Sequence, residues 1–161
     1  MAADLPITSK GYARLKIELK RKQTIERRKV ADEIEIARSH GDLRENAEYH
    51  AAKERQAELA ARMAYLEGRI GLAHVIDPVS INSETVGFGA TITLTDMDTD
   101  EEVVYALVGE DETNVKAGRI SITAPIARAM LGKGEGDDVT VRLPKGDREF
   151  EIIKIEYKAL N

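Results

Sequence analysis

Residues 45–73, ENAEYHAAKERQAELAARMAYLEGRIGLA, contain no proline, and an inward line of side chains recurs in steps of four and three. Ala52, Gln56, Leu59, Met63, Leu66, Ile70 and Ala73 make that line, which is the seam of a coiled coil. Upstream, residues Lys10 to Ser39 are also free of proline and hold only Gly11. Tyr12, Leu15 and Leu19 begin a second seam there, and Val30, Ile34 and Ala37 resume it. The 11-residue step from Leu19 to Val30 reads as a stutter, with Gln23 and Glu26 in a weakly packed middle. Thr8 or Ser9 is placed to cap the first helix. The connection from Ser39 to Arg44 is short, so the helices are predicted to be antiparallel neighbours, forming a rod roughly 45 Å long.

Two helices alone bury little, and the rest of the 161 residues follows another pattern. From Asp77-Pro78 onward lie eight of the 12 glycines and three of the four prolines. Charge divides at the same place. Residues 1–75 carry 15 Lys+Arg against 12 Asp+Glu, and residues 76–161 carry nine against 17, for a net −5. The predicted division is a helical hairpin over 1–77, with its acidic tip at 41–48, and a globular domain over 78–161. Alternation predicts strands at Ala90–Thr95, Val103–Val108, Ile120–Thr123, Val139–Leu143 and Arg148–Tyr157. Pro125 to Leu131 reads as a short helix opened by proline and closed by Gly132. The class is α+β: an N-terminal antiparallel coiled-coil hairpin, then a domain built on an antiparallel β-sheet.

Composition excludes several chemistries. With no cysteine there is no disulfide framework, thiolate zinc site or cysteine nucleophile. The N-terminal residues MAADLPITSK lack an apolar signal core, and no apolar run approaches the roughly 20 residues that cross a bilayer. A soluble, cytoplasmic protein without a membrane partner is expected. The acidic total argues against wrapping duplex DNA through a broad basic surface.

The hairpin turn carries more ionisable chemistry than a turn needs. Within residues 37–50, ARSHGDLRENAEYH, Asp42 and Glu45 stand three apart where the turn becomes the second helix. They read in two ways. Asp42 as an N-cap with Glu45 as the capping-box acid needs no function. Alternatively, two carboxylates on one side of a protruding tip offer part of a hard-cation site, which another macromolecule completes, because Mg²⁺ demands octahedral oxygen coordination. His40 and His50 do not make a zinc site with so distant a third histidine as His74.

GDLRENAEYHAAKE at Gly41–Glu54 resembles the hairpin-tip motif of the bacterial transcript-cleavage factors of the GreA/GreB family. The resemblance continues in order through VIDP (Val75–Pro78), FGATITL (Phe88–Leu94), VGEDE (Val108–Glu112) and ISITAPIARAMLGKGEGD (Ile120–Asp137). Leu43 and His50-Ala51-Ala52 follow the GreA branch of that family. The resemblance implies a C-terminal domain similar in fold to FK506-binding proteins. It implies a coiled coil that enters the secondary channel of bacterial RNA polymerase, while the C-terminal domain stays at the rim. Its implied activity is to stimulate the polymerase's own Mg²⁺-dependent cleavage of backtracked nascent RNA, so the protein is not itself an enzyme. By matching position, Asp42 and Glu45 are the pair that holds a Mg²⁺ shared with the polymerase and positions water. No cofactor is expected in the isolated protein, which is expected to be a monomer. Arg38, Arg44, Asn46 and Tyr49 are implied contacts of the RNA 3′ end or channel wall, with a solvated helix face or tip stiffening as the alternatives. A non-catalytic occluder of the channel and a coiled-coil adaptor with another partner are the competing functions.

One departure concerns Thr123, Ala124 and Pro125, in the segment that resembles the polymerase-docking part. The family usually has Ser-Pro where this chain has Ala124-Pro125. Unless Thr123 takes over, the short helix lacks a side-chain cap, which typically costs about 1 kcal/mol. Prolyl isomerase activity is not expected, since Phe88, Tyr105, Phe150 and Tyr157 are the only aromatics of the second half and the core must use some of them.

Overall fold

Leu5-Pro6-Ile7-Thr8 forms strand β1 and runs directly into helix α1 (Ser9–Arg21), after which the chain continues as a π-helical stretch, Lys22–Glu26, and helix α2 (Arg27–Arg38). The computed structural model describes residues 4–42 and 46–160. Helix α3 spans Ala47–Leu72 and passes straight into strand β2 (Ala73–Ile76). Among the described residues no helix is long and apolar enough to cross a membrane. Two compact units result. One is Tyr12–Leu72; the other joins the N-terminal segment through Gly11 to the chain from Ala73 onward.

The helical unit packs along the predicted seams, apart from its middle. Leu15, Val30, Ile34 and Ala37 are buried from the first arm, and Ala52, Met63 and Leu66 from the second. Arg55 pairs with Glu33 at 2.9 Å and Arg62 with Glu18 at 2.7 Å, so positions rising along one arm meet positions falling along the other. The arms are therefore antiparallel. The stutter is realised as the π-helical stretch, in which Arg27 N–H donates five residues back to the Lys22 carbonyl. A π turn holds more residues than an α turn. Steps of four can thus follow one another from Lys22 through Glu26 and Val30 to Ile34 without leaving the seam. Lys22 is the inward residue beside Glu26, while Gln23 and Gln56, both read as seam positions, are exposed. Lys22 Nζ lies 3.8 Å from Glu18 and 3.4 Å from Glu26. The Arg62 guanidinium, hydrogen-bonded to Glu18, holds that carboxyl below its usual range, with Lys22 adding to the effect.

In the other unit, strands β3 (Thr91–Asp96), β4 (Glu102–Val108), β5 (Arg119–Ser121), β6 (Asp138–Leu143) and β7 (Gly146–Glu156) form one sheet in the order β5-β4-β3-β7-β6. Helix α4 is Pro125–Met130. Alternation along these strands puts Ile92, Leu94, Leu107, Val139, Val141, Phe150 and Ile152 into one core with Ala127 and Met130 of α4. Phe150 is thus spent on packing, as the shortage of aromatics requires. The sheet departs from the all-antiparallel reading at one edge, where β5 runs parallel to β4. Two 3₁₀ turns, Glu110–Glu112 and Val115–Ala117, carry the chain back along β4, so that Arg119 pairs with Ala106.

The sequence reading contained neither β1 nor β2, which pair in parallel from Leu5↔Ala73 to Thr8↔Ile76. It also placed Ala73 on the coiled-coil seam and the division at residue 77, whereas both strands lie in the unit that holds the sheet. Glu112 ties β1 to the 3₁₀ turns: its carboxylate accepts from Thr8 N–H and Gly109 N–H, each at 3.0 Å, and from the Thr8 hydroxyl. Thr8 also caps α1 by accepting from Gly11 N–H at 3.1 Å.

Candidate functional site at the hairpin tip

The tip is built where α2 ends and α3 begins. Ser39 and His40 N–H groups donate back to Ile36 and Ala37, both at 3.1 Å, and Gly41 turns the chain at φ +105°. Only glycine adopts that backbone region without strain. Asn46, not Asp42, is the N-cap of α3. Its Oδ1 accepts from Tyr49 N–H at 3.0 Å, and its Nδ2 donates to the Ala37 carbonyl at 2.5 Å. One half-buried side chain therefore starts α3 and fastens it to the last turn of α2.

This assigns the candidate residues to different places. Asp42 is exposed and precedes the helix, so it does not act as the cap considered from sequence, nor does it project from the helix's first turn. Leu43, Arg44 and Glu45 lie outside the described residues, so the reading of Arg44 and Glu45 rests on sequence. Tyr49 is half-buried and packs against the cluster of Val30, Ile34 and Ala52. The Arg38 guanidinium sits 5.9 Å from the centre of the Tyr49 ring. Asn46 and Tyr49, read as contacts or stiffeners, are both engaged within the hairpin.

Spacing arguments missed one further pair. His40 Nδ1 is 2.8 Å from Glu48 Oε2, joining the turn to the first turn of α3. The signal was present in the sequence. In an antiparallel hairpin, residues equally far from the turn's centre face one another, and His40 and Glu48, like Glu33 and Arg55, are centred on position 44. His50 points elsewhere: its ring meets Tyr49 edge-on at 5.7 Å.

Asp42 and Glu45 supply hard oxygen donors of the kind Mg²⁺ takes, but too few to close its octahedron. Among the described residues, no group of three or more His, Cys, Asp or Glu could hold a metal ion.

At the other candidate region, Ala124 is the residue before α4, with no side-chain cap, and Pro125 is the first helical residue. Thr123 does not take over: its hydroxyl is 2.8 Å from the Ser121 hydroxyl and 3.5 Å from Glu110. The uncapped end read from the sequence is present in the structure.

Comparison with known proteins finds relatives that match nearly the whole chain. The transcription elongation factor GreA of Rhodopseudomonas palustris is 49% identical over 96% of this chain and 96% of its own. The transcription elongation factor GreA of Phenylobacterium zucineum is 52% identical over 95% of this chain and 98% of its own. Among solved structures, GreA factor homolog 1 (Gfh1) of Thermus thermophilus is 28% identical over 95% of this chain and 99% of its own, at a TM-score of 0.43. The family profile "Transcription elongation factor, N-terminal" matches residues 5–75, and "Transcription elongation factor, GreA/GreB, C-term" matches residues 81–157. With both halves matched in order, the chain belongs to the GreA/GreB family of transcription elongation factors.

Proposed function

We propose that this protein rescues backtracked bacterial RNA polymerase by inserting its coiled coil into the secondary channel and stimulating the polymerase's own cleavage of the nascent RNA. The observation that carries the reading is the tip: Asn46 caps α3, and Asp42 stands exposed ahead of that helix. Asp42 and Glu45 are the residues that would hold an Mg²⁺ shared with the polymerase. When bound, that ion supplies charge neutralisation and an activated water for phosphodiester hydrolysis. The rest of the tip shapes the turn that leads into Asp42. The Asn46 bridge joins the two arms, Tyr49 anchors the first turn of α3 in the seam, and Gly41 permits the reversal. Arg38 is exposed on the side of the Tyr49 ring and is suited to steady RNA phosphate. The protein is a cofactor rather than an enzyme, because its acids form only part of a site. Thr123, Ala124 and Pro125 belong to the surface proposed to dock at the channel rim.

An occluding inhibitor could keep the rod and dispense with both acids, so their presence favours cleavage. The test uses purified bacterial RNA polymerase halted in a backtracked complex with Mg²⁺. The wild-type protein should accelerate release of short 3′ RNA fragments. Asp42→Asn and Glu45→Gln should each abolish the acceleration while competing with wild type for polymerase. Inhibition by wild type without cleavage would establish the occluder instead.

A further inference from the structure

We propose that the His40–Glu48 hydrogen bond is a staple that positions Asp42, making both side chains positioning residues for the stimulated cleavage; this rests on the function inferred above. The Nδ1–Oε2 distance of 2.8 Å is that of a direct hydrogen bond, donated by the imidazole to the carboxylate. The staple lies nearer the tip than the other side-chain ties between the two arms described above. Asn46 grips Ala37 and Arg38 stacks on Tyr49, both at the base of the turn. His40 lies beyond that base, two residues before Asp42, and Glu48 sits on the first turn of α3. The bond therefore ties the segment leading into Asp42 to a helix that is itself anchored by Asn46 and Tyr49. It also commits the Glu48 carboxylate to an imidazole, which separates its role from that of Asp42.

Both groups are solvent-accessible, with side-chain exposures of 52% and 70%, so the bond biases the turn rather than locking it. Pairs of this kind shift populations by about two- to fivefold. In the full-length protein alone, amide exchange of Ser39, His40 and Gly41 should quicken about two- to fivefold in His40→Ala and in Glu48→Ala. The double variant should add little more. Glu48→Gln, whose amide oxygen still accepts, and His40→Asn, whose amide still donates, should stay close to wild type. With backtracked polymerase at saturating protein, the alanine variants should lower the maximal cleavage rate by the same factor, with the half-saturating concentration unchanged.

Three results would overturn the proposal. Unchanged exchange in both alanine variants would mean that no staple forms. Loss of cleavage in Glu48→Gln with a silent His40→Ala would make Glu48 an ion ligand. A changed half-saturating concentration at constant maximal rate would make the pair a polymerase contact. A wild-type protein that stimulates no cleavage sinks the functional reading and the positioning role together, while the exchange series still reports separately whether the staple exists.

Discussion

Asp96 illustrates how much one side chain can organise. It is 2% exposed at the end of β3, and its Oδ1 accepts from Asp98 N–H at 2.9 Å and from Thr99 N–H at 3.4 Å, while Oδ2 receives Arg148. The Asp98 amide and then the Arg148 guanidinium hold its carboxyl below the ordinary value of 3.8. A carboxyl depressed in the folded state contributes stability above its unfolded pKa, and that contribution is lost as pH falls through the folded value. Urea titrations should therefore show stability falling from about pH 4 downward. Asp96→Asn should flatten that part of the profile while lowering stability at pH 7. Ala124 presents the opposite case, a position where a missing atom is felt. Ala124→Ser should raise stability by about 1 kcal/mol in the same titrations, because the new hydroxyl can accept from the first turn of α4.

At the level of elements, the π-helical stretch and the β1 contact carry the consequences. Lys22–Glu26 contains no buried residue, and the Thr24 hydroxyl bonds the Lys20 carbonyl at 2.7 Å, competing with the helix ladder. Few apolar contacts and a disturbed ladder define a locally weak segment. Hydrogen exchange should be at least about tenfold faster over Lys22–Glu26 than over Val30–Ala37, where three side chains are buried. Near β1, a Cβ added at Gly109 would lie 2.6 Å from the Pro6 carbonyl oxygen, a backbone atom that cannot swing aside. Gly109→Ala should cost about 1–3 kcal/mol of unfolding free energy, read from the denaturant midpoint. The coiled-coil seams outside their middle and the four longer strands of the large sheet were legible in the sequence, because each is a periodic run long enough to declare itself. β1 was not. Four residues containing a proline have no period, and their partner strand directly continues a helix whose apolar phase Ala73 shares.

For the whole molecule, the discontinuous unit is the main finding. Residues through Gly11 belong with those from Ala73 onward, so the helical hairpin is an insertion between β1 and β2. Ile7, 3% exposed, contributes about 1.5–3 kcal/mol to that unit by burial. A chain with residues 12–72 replaced by a short Gly/Ser linker should therefore melt higher than a fragment starting at residue 78. Equal melting temperatures would return the boundary to Asp77-Pro78. The candidate site divides along similar lines. Asp42 and Glu45 could be picked out because their residue types and position matched a tip motif. The Asn46 cap and the His40–Glu48 bond could not be ranked above Asp42 as a cap, since several residues at the turn have side chains able to cap or bridge.

By itself the sequence determined the two architectures, the antiparallel hairpin, the strands and helix of the larger sheet, and the acids at the tip. These follow from periodicity, loop length and residue chemistry, all of which act within a few turns or strands of the chain. Tertiary structure alone decided that Leu5 pairs with Ala73, that Lys22 is half-buried where Gln23 stays exposed and reaches Glu67, and that Asn46 fastens α3 to the Ala37 carbonyl. Each of those depends on which competing partner is brought within reach, and only packing of segments distant in the chain brings it there.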